Sequence, residues 1–180
     1  MQLKLPEELQ FIANARMVQK TTSGRLDGKV CIITGATSGV GYQAVKRLAR
    51  GGAQIVMVCR NGEKAKSVKE EIKSEFQVPI DCIQADFSRF ADVRKAAGEI
   101  LQKYPHIDVL INNAGVHYTH RTLNENGIEI VFAVNHLASF LFTRLLLDRL
   151  LQSAPARIIQ VNSQGHRFSG LDLTDLNWDK

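Results

Sequence analysis

A chain of 180 residues with 44% hydrophobic and 23% charged content has the size and balance of one globular domain, which excludes disorder over its bulk. The formal net charge is +5, but Lys and Arg are interleaved with acids, as in Glu63-Lys64-Ala65-Lys66 and Lys69-Glu70-Glu71. The excess therefore reads as solvated helix faces and attraction for an anionic small molecule, and no nucleic-acid interface is expected. Cys31, Cys59 and Cys82 each lie inside an apolar run; with no paired spacing they point to the cytoplasm or another reducing compartment, with peripheral membrane association left open.

Residues 1–20 hold no apolar stretch long enough for a signal peptide or a membrane span. Pro6-Glu7-Glu8 followed by Leu9, Ile12 and Ala13 predicts a short helix, and Thr21-Thr22-Ser23-Gly24 a linker. Residues 1–26 are therefore set apart as an N-terminal helix and linker. Val30-Cys31-Ile32-Ile33 is a continuous apolar run, the pattern of a strand covered on both faces. After a glycine-rich turn comes a helix with Ala44, Val45, Leu48 and Ala49 on one face, closed by Gly51-Gly52.

Ile55 to Cys59 is a second buried strand, and Val68, Ile72 and Phe76 mark the helix behind it. Pro79 to Gln84 is a third strand, followed by a helix carrying Val93, Ala96, Ala97, Ile100 and Leu101. Ile107 to Ile111 is the fourth. A long helical stretch then has two parts, Glu125 to Val134 and the more apolar Leu137 to Leu151, before a fifth strand at Arg157 to Val161. Alternating strands and helices with crossover-length connections predict an α/β fold, a Rossmann-type doubly wound parallel sheet over residues 27–163. The Leu137 to Leu151 run is shorter than a membrane span and broken by Arg144 and Asp148, so no transmembrane segment is expected; it reads as a buried helix or a homodimer face. The five histidines, His106, His117, His120, His136 and His166, have no metal-ligand spacing.

Thr34-Gly35-Ala36-Thr37-Ser38-Gly39-Val40-Gly41 joins the first strand to its helix, which is the setting that makes a glycine pattern informative. Gly35 permits a tight turn, and Gly39 and Gly41 allow close approach of the backbone to a pyrophosphate. A helix beginning near Val40 would aim its unpaired N–H groups at the phosphates. A glycine-rich turn without a ligand is the plain alternative. The second strand ends in Val58-Cys59-Arg60-Asn61, where an NAD-specific fold usually carries an acid for the ribose hydroxyls. Arg60 could pair with a 2′-phosphate, assisted by Thr37 or Ser38, which puts NADP(H) ahead of NAD(H). Arg60 could equally be a surface residue ending the strand.

The loop resembles the Thr-Gly-x-x-x-Gly-x-Gly signature of the short-chain dehydrogenase/reductase family. Asn112-Asn113-Ala114-Gly115 after the fourth strand, Asn135-His136 in the next helix and Val161-Asn162-Ser163 at the fifth strand match that family in order. Asn126-Gly127-Ile128-Glu129, Val134-Asn135-His136-Leu137 and the run from Ser153 to His166 are similar to its retinol dehydrogenase-like and WW-domain oxidoreductase-like branch. The resemblance implies a cofactor site at Gly35, Thr37, Ser38, Gly39, Val40, Gly41, Arg60, Asp86, Asn112, Ala114 and Gly115, with Asp86 at the adenine. Taken alone, Asp86 could equally cap a helix. It also implies a Ser that polarises a carbonyl at Ser163 and a proton-relay Asn at Asn135.

Carbonyl reduction further needs a proton donor, in this family a Tyr lowered in pKa by a Lys one helical turn away. Tyr42-Gln43-Ala44-Val45-Lys46 has that spacing but follows the phosphate loop instead of Ser163, so Tyr42 reads as a packing residue and Lys46 as a solvated or phosphate-attracting one. By the resemblance, the acid/base pair would lie beyond Lys180, residues 164–180 would begin the loop leading to it, and about five of seven strands are expected here. The function this implies is NADP(H)-dependent oxidation or reduction of a small lipophilic alcohol, aldehyde or ketone. The alternative is a dinucleotide-binding or regulatory form without turnover.

Overall fold

The computed structural model describes residue 18 and residues 22–163 and 172–179. The expected N-terminal helix, and residues 164–171 of the expected terminal loop, lie outside the described residues. Five apolar runs form one parallel sheet with strand order β3-β2-β1-β4-β5. The strands are β1 (Val30–Thr34), β2 (Gln54–Cys59), β3 (Ile80–Gln84), β4 (Val109–Asn112) and β5 (Arg157–Gln160). In register, Ile32 stands beside Val56 on one side and Leu110 on the other.

The continuous apolar runs are explained by burial on both faces. Along β1, Val30 and Ile32 enter one core cluster while Cys31 and Ile33 enter the other, as the two-residue period of a strand requires. Helices α1 (Gly39–Arg50) and α2 (Gly62–Phe76) cover the second cluster with Val45, Ala49, Ala65 and Ile72. Helices α3 (Phe90–Lys103) and α4 (Ile130–Gln152) cover the first, with Val93, Ile100, Phe142 and Leu146 fully buried. The expected doubly wound α/β architecture is therefore the observed one. Asp108, just before β4, locks the base of the sheet: its carboxylate accepts from the Val30 N–H (2.8 Å) and the Lys29 ammonium (2.9 Å).

Several boundaries differ from the sequence expectation, each for a local reason. β3 begins at Ile80, because Pro79 has no N–H to give the ladder, although its carbonyl still accepts from Ile55 N (2.9 Å). Ile107 does not join β4; its N–H donates to Ser153 Oγ at 2.9 Å. β5 stops at Gln160, one residue short of the expected Val161. The stretch expected to be helical from Glu125 begins only at Ile130. There the Asn124 carboxamide accepts from the N–H groups of Asn126 (2.9 Å) and Ile128 (3.0 Å), holding a turn through Gly127. Glu129 then caps α4, its carboxylate accepting from Val131 N (3.0 Å) and Phe132 N (2.7 Å).

From Ile130 the helix runs unbroken through a π-helical turn at Ala133–Ala138 to Gln152. At 23 residues it is long and apolar enough, by length and composition alone, to cross a bilayer, so the expectation that it is too short is corrected. Phe142, Leu146 and Leu150 are nevertheless buried in the core. β5 is exposed along its whole length, with Ile158 and Ile159 more than 40% open to solvent.

Candidate functional site

The strand order reverses direction between β1 and β4, and a doubly wound sheet opens a crevice at the carboxyl ends of such a pair. Here the crevice is built by a weld between the two strand ends. Thr34 Oγ1 accepts from the N–H groups of Asn113 (3.0 Å) and Ala114 (2.9 Å). The Asn113 carboxamide donates back to the carbonyls of Thr34 (2.9 Å) and Gly35 (3.0 Å). Gly35 lies in the left-handed region (φ 68°), and a Cβ there would stand 2.7 Å from Ala114 Cα. At Gly41 a Cβ would stand 2.4 Å from both Asn113 Nδ2 and the Gly35 carbonyl oxygen. Only glycine allows this closeness.

The loop delivers the chain to the start of α1 with its amides unsatisfied. Ser38 occupies the N-cap without a side-chain bond to the helix, and no acid stands in the first turn. The N–H groups there carry the partial positive charge of the helix terminus. Val40, on that turn, is 69% exposed, and a Cβ at Gly39 would meet nothing within 4 Å. Thr37 and Ser38 lie on the open side of the same turn. Gly35 N also donates to Val58 O (2.9 Å), which ties the loop to the end of β2, just ahead of Arg60. Arg60 is exposed, and its guanidinium has no partner among the described residues. Asp86 accepts from Ser88 N (2.9 Å) and Ser88 Oγ (2.8 Å), ordering the turn between β3 and α3.

Beside the weld lies a cavity of about 860 Å³. Asn112, Ala114, Gly115, Asn135 and Ser163 line it, whereas residues 35–41, Arg60 and Asp86 do not. The expected site thus has two parts that meet at Asn112–Gly115. Asn112 is buried; its Nδ2 donates to Thr143 Oγ1 (2.8 Å), which donates on to Ser139 O (2.8 Å). Its Oδ1 is buried with no hydrogen-bond partner among the described residues. The amide orientation is fixed, because the Thr143 hydroxyl proton is already given to Ser139. Asn135 stands on the π-helical turn, a feature that often marks functional positions. Its carboxamide accepts from Val116 N (2.8 Å) and donates to Val116 O (2.9 Å), which holds the segment that leaves β4.

Comparison with known proteins agrees with this geometry. The family described as short chain dehydrogenase matches residues 29–171. The chain belongs to that family. Human retinol dehydrogenase 13 is 40% identical over 154 residues, 85% of this chain and 46% of that protein. Mouse retinol dehydrogenase 14 is 37% identical over 167 residues, 86% of this chain and 49% of that one. The chain therefore spans about half the length of the curated relatives it matches. A protein from Escherichia coli CFT073, assigned to the short chain dehydrogenases and solved with NADPH, superposes with a TM-score of 0.73 at 26% identity, covering 88% of this chain and 66% of that one. This short chain dehydrogenase is thus a retinol dehydrogenase-like member with a Rossmann nucleotide-binding fold.

The Tyr42–Lys46 pair is directed elsewhere. Tyr42 gives its hydroxyl proton to Glu71, and Lys46 pairs with Glu75 (2.8 Å) and Glu71 (3.6 Å). The Glu71 carboxylate raises the Tyr42 pKa, the opposite of what an acid/base tyrosine needs. Lys46 is therefore a clamp between α1 and α2, which corrects the phosphate-attracting reading. Sequence reasoning left out Thr34 and Asn113 as the weld, Val116 as the partner of Asn135, and Trp178, which also lines the cavity. Thr34 and Asn113 do stand inside quoted motifs, and that was the available signal. Nothing in the sequence pattern pairs Trp178 with residues so far away.

Proposed function

We propose that this chain holds a nicotinamide dinucleotide, NADP(H) in preference to NAD(H), for the oxidation or reduction of a small lipophilic alcohol, aldehyde or ketone. The observation that carries it is the glycine loop welded to Asn113–Ala114 with the uncapped start of α1 beside it: an anion cradle whose closest points tolerate no Cβ. Residues 35–41 would take the pyrophosphate, and Asn112, Ala114 and Gly115 the nicotinamide end next to the cavity. The nicotinamide, when bound, gives or takes the hydride. Ser163 would polarise the carbonyl oxygen. The Asn135 carboxamide spends one N–H and one lone pair on Val116 and keeps a second of each with which it could order a relay water. The unpartnered Arg60, with no acid at the end of β2, supports the 2′-phosphate preference. The NADPH complex of the E. coli neighbour is consistent with it.

A binding role without turnover is the second reading. It is favoured because the Tyr42–Lys46 pair is committed to α2, away from the cavity, and no Tyr-x-x-x-Lys pair stands among the described residues that line the cavity. Calorimetric titration of the purified 180-residue chain tests both. Saturable binding of NADPH, tighter than NADH, is expected; no binding by the folded chain would refute the first claim. Carbonyl-dependent NADPH oxidation would refute the second reading. The end of α4, where Leu151 is exposed outside the cavity, would serve a homodimer, which sedimentation of Leu151→Glu against the parent chain would test. The three free thiols suit the cytoplasm or another reducing compartment, and peripheral membrane association stays compatible with the fold.

A further inference from the structure

Residues 172–179 form a short strap beside the cavity. It is ordered from within by two successive turns: Asp172 accepts from Thr174 N (2.8 Å) and Thr174 Oγ1 (2.7 Å), and Asp175 from Asp179 N (2.8 Å). It is then fastened across the molecule. Asn177 Oδ1 accepts from Glu129 N (3.0 Å), and Asn177 Nδ2 donates to Gly127 O (3.2 Å). Arg121 donates to the Asn177 carbonyl (2.8 Å) and pairs with the Asp179 carboxylate. Trp178 is held between these two anchors.

Its backbone lies in the left-handed region, at φ 54°, which a bulky residue adopts only where its surroundings impose it. The residue is nevertheless 73% exposed and lines the cavity that Asn135 and Ser163 also line. A large apolar residue on an anchored strap yet left open is unexplained by packing. Tyr118, Phe132 and Phe140 also line the cavity, and Phe132 lies stacked on His136 with centroids 5.4 Å apart. Several aromatic side chains around one open space favour a flat, π-bearing ligand over a flexible aliphatic one.

We propose that Trp178, pinned by Asn177 and Arg121, is a specificity-determining residue that stacks on a flat, conjugated or aromatic carbonyl compound, or the corresponding alcohol. The assignment rests on the dinucleotide reading for its reaction, but its own contact with the ligand can be tested separately. Trp178 is the single tryptophan of the chain, so tryptophan fluorescence, excited selectively over tyrosine, reports on the strap alone.

The probe is benzylideneacetone, a flat conjugated ketone, set against the saturated methyl ketone of equal carbon count. Each is titrated into the chain with and without NADP+, which cannot deliver hydride. The conjugated ketone is expected to quench Trp178 saturably and to bind more tightly than the saturated one. By calorimetry, Trp178→Ala should weaken the conjugated ketone by roughly threefold to tenfold, in keeping with one aromatic pair. Trp178→Phe should keep most of the affinity, and NADP+ binding should be unchanged in both. The exposed position lets both variants fold, checked by circular dichroism. NADP+ binding with equal ketone affinity in parent and Trp178→Ala would overturn the stacking role and leave the dinucleotide reading intact. Absent NADP+ binding with saturable, Trp178-dependent ketone quenching would overturn the dinucleotide reading and keep the stacking role.

Discussion

Replacing Thr34 by Val tests whether the weld between β1 and β4 builds the site. The side chain keeps its shape and loses the oxygen that accepts from Asn113 N at 3.0 Å and Ala114 N at 2.9 Å. Thr34 is fully buried, and Val adds no volume that the pocket must accommodate. An orphaned N–H costs roughly 1–3 kcal/mol. Both donors sit in half-buried residues, so the lower part of that range applies to each and the pair should cost about 2–4 kcal/mol. Set against a domain stability of roughly 5–15 kcal/mol, this is a large loss. Urea unfolding monitored by circular dichroism would measure it. Thr34→Ser, which keeps the oxygen and drops a methyl, should cost about 0.8 kcal/mol. NADPH affinity should fall in the Val variant and persist in the Ser variant. Equal stability losses in the two variants, or a Val loss below about 0.5 kcal/mol, would refute the claim that the hydroxyl holds the loop.

Arg60→Ala should weaken NADPH by roughly 10- to 100-fold, the worth of charge-assisted hydrogen bonds to a phosphate, and leave NADH within about twofold; equal losses in parallel titrations would remove Arg60 from the 2′-phosphate. For Asp108, burial alone would raise the carboxyl pKa, but the Lys29 ammonium and the Val30 N–H outweigh it and hold the group below its ordinary range. The folded-state pKa therefore lies below the unfolded value of about 3.9, so the stabilisation is present above that pH and is lost as pH falls through the folded value. Asp108→Asn, which keeps an acceptor for Val30, should flatten the acid limb of a stability-against-pH curve; an unchanged limb would contradict this. Tyr42→Phe removes a solvent-screened contact and should leave the urea midpoint nearly unchanged, with NADPH affinity unchanged in a direct titration.

The strands were legible because burial on both faces leaves continuous apolar runs, as in Val30 to Ile33, and the glycine loop because it stands between a strand and a helix. What stayed hidden depends on side chains that bond to backbone. The helical spacing of Glu125 to Val134 misled because Asn124 and Glu129 take up the local N–H groups and delay the helix. The π turn at Ala133–Ala138 escaped because one added residue per turn scarcely disturbs an apolar pattern. The long-range ties, Thr34 to Asn113 and Asn177 to Glu129, have no periodic signature at all. They join residues that become neighbours only in the folded chain.

The weld also sets an order of events during folding. Thr34 and Asn113 lie 79 residues apart in the chain, so the glycine loop cannot take its final shape until α1, β2, α2, β3 and α3 have been threaded and β4 has docked beside β1. Contacts of such separation form slowly, because the closure entropy comes before the bonds that repay it. A nascent chain released after β3 would carry every glycine of the loop and no cradle. If the loop holds an anion as proposed, that ability is a late acquisition, and a ligand gripping the loop would act chiefly by slowing the escape of β4.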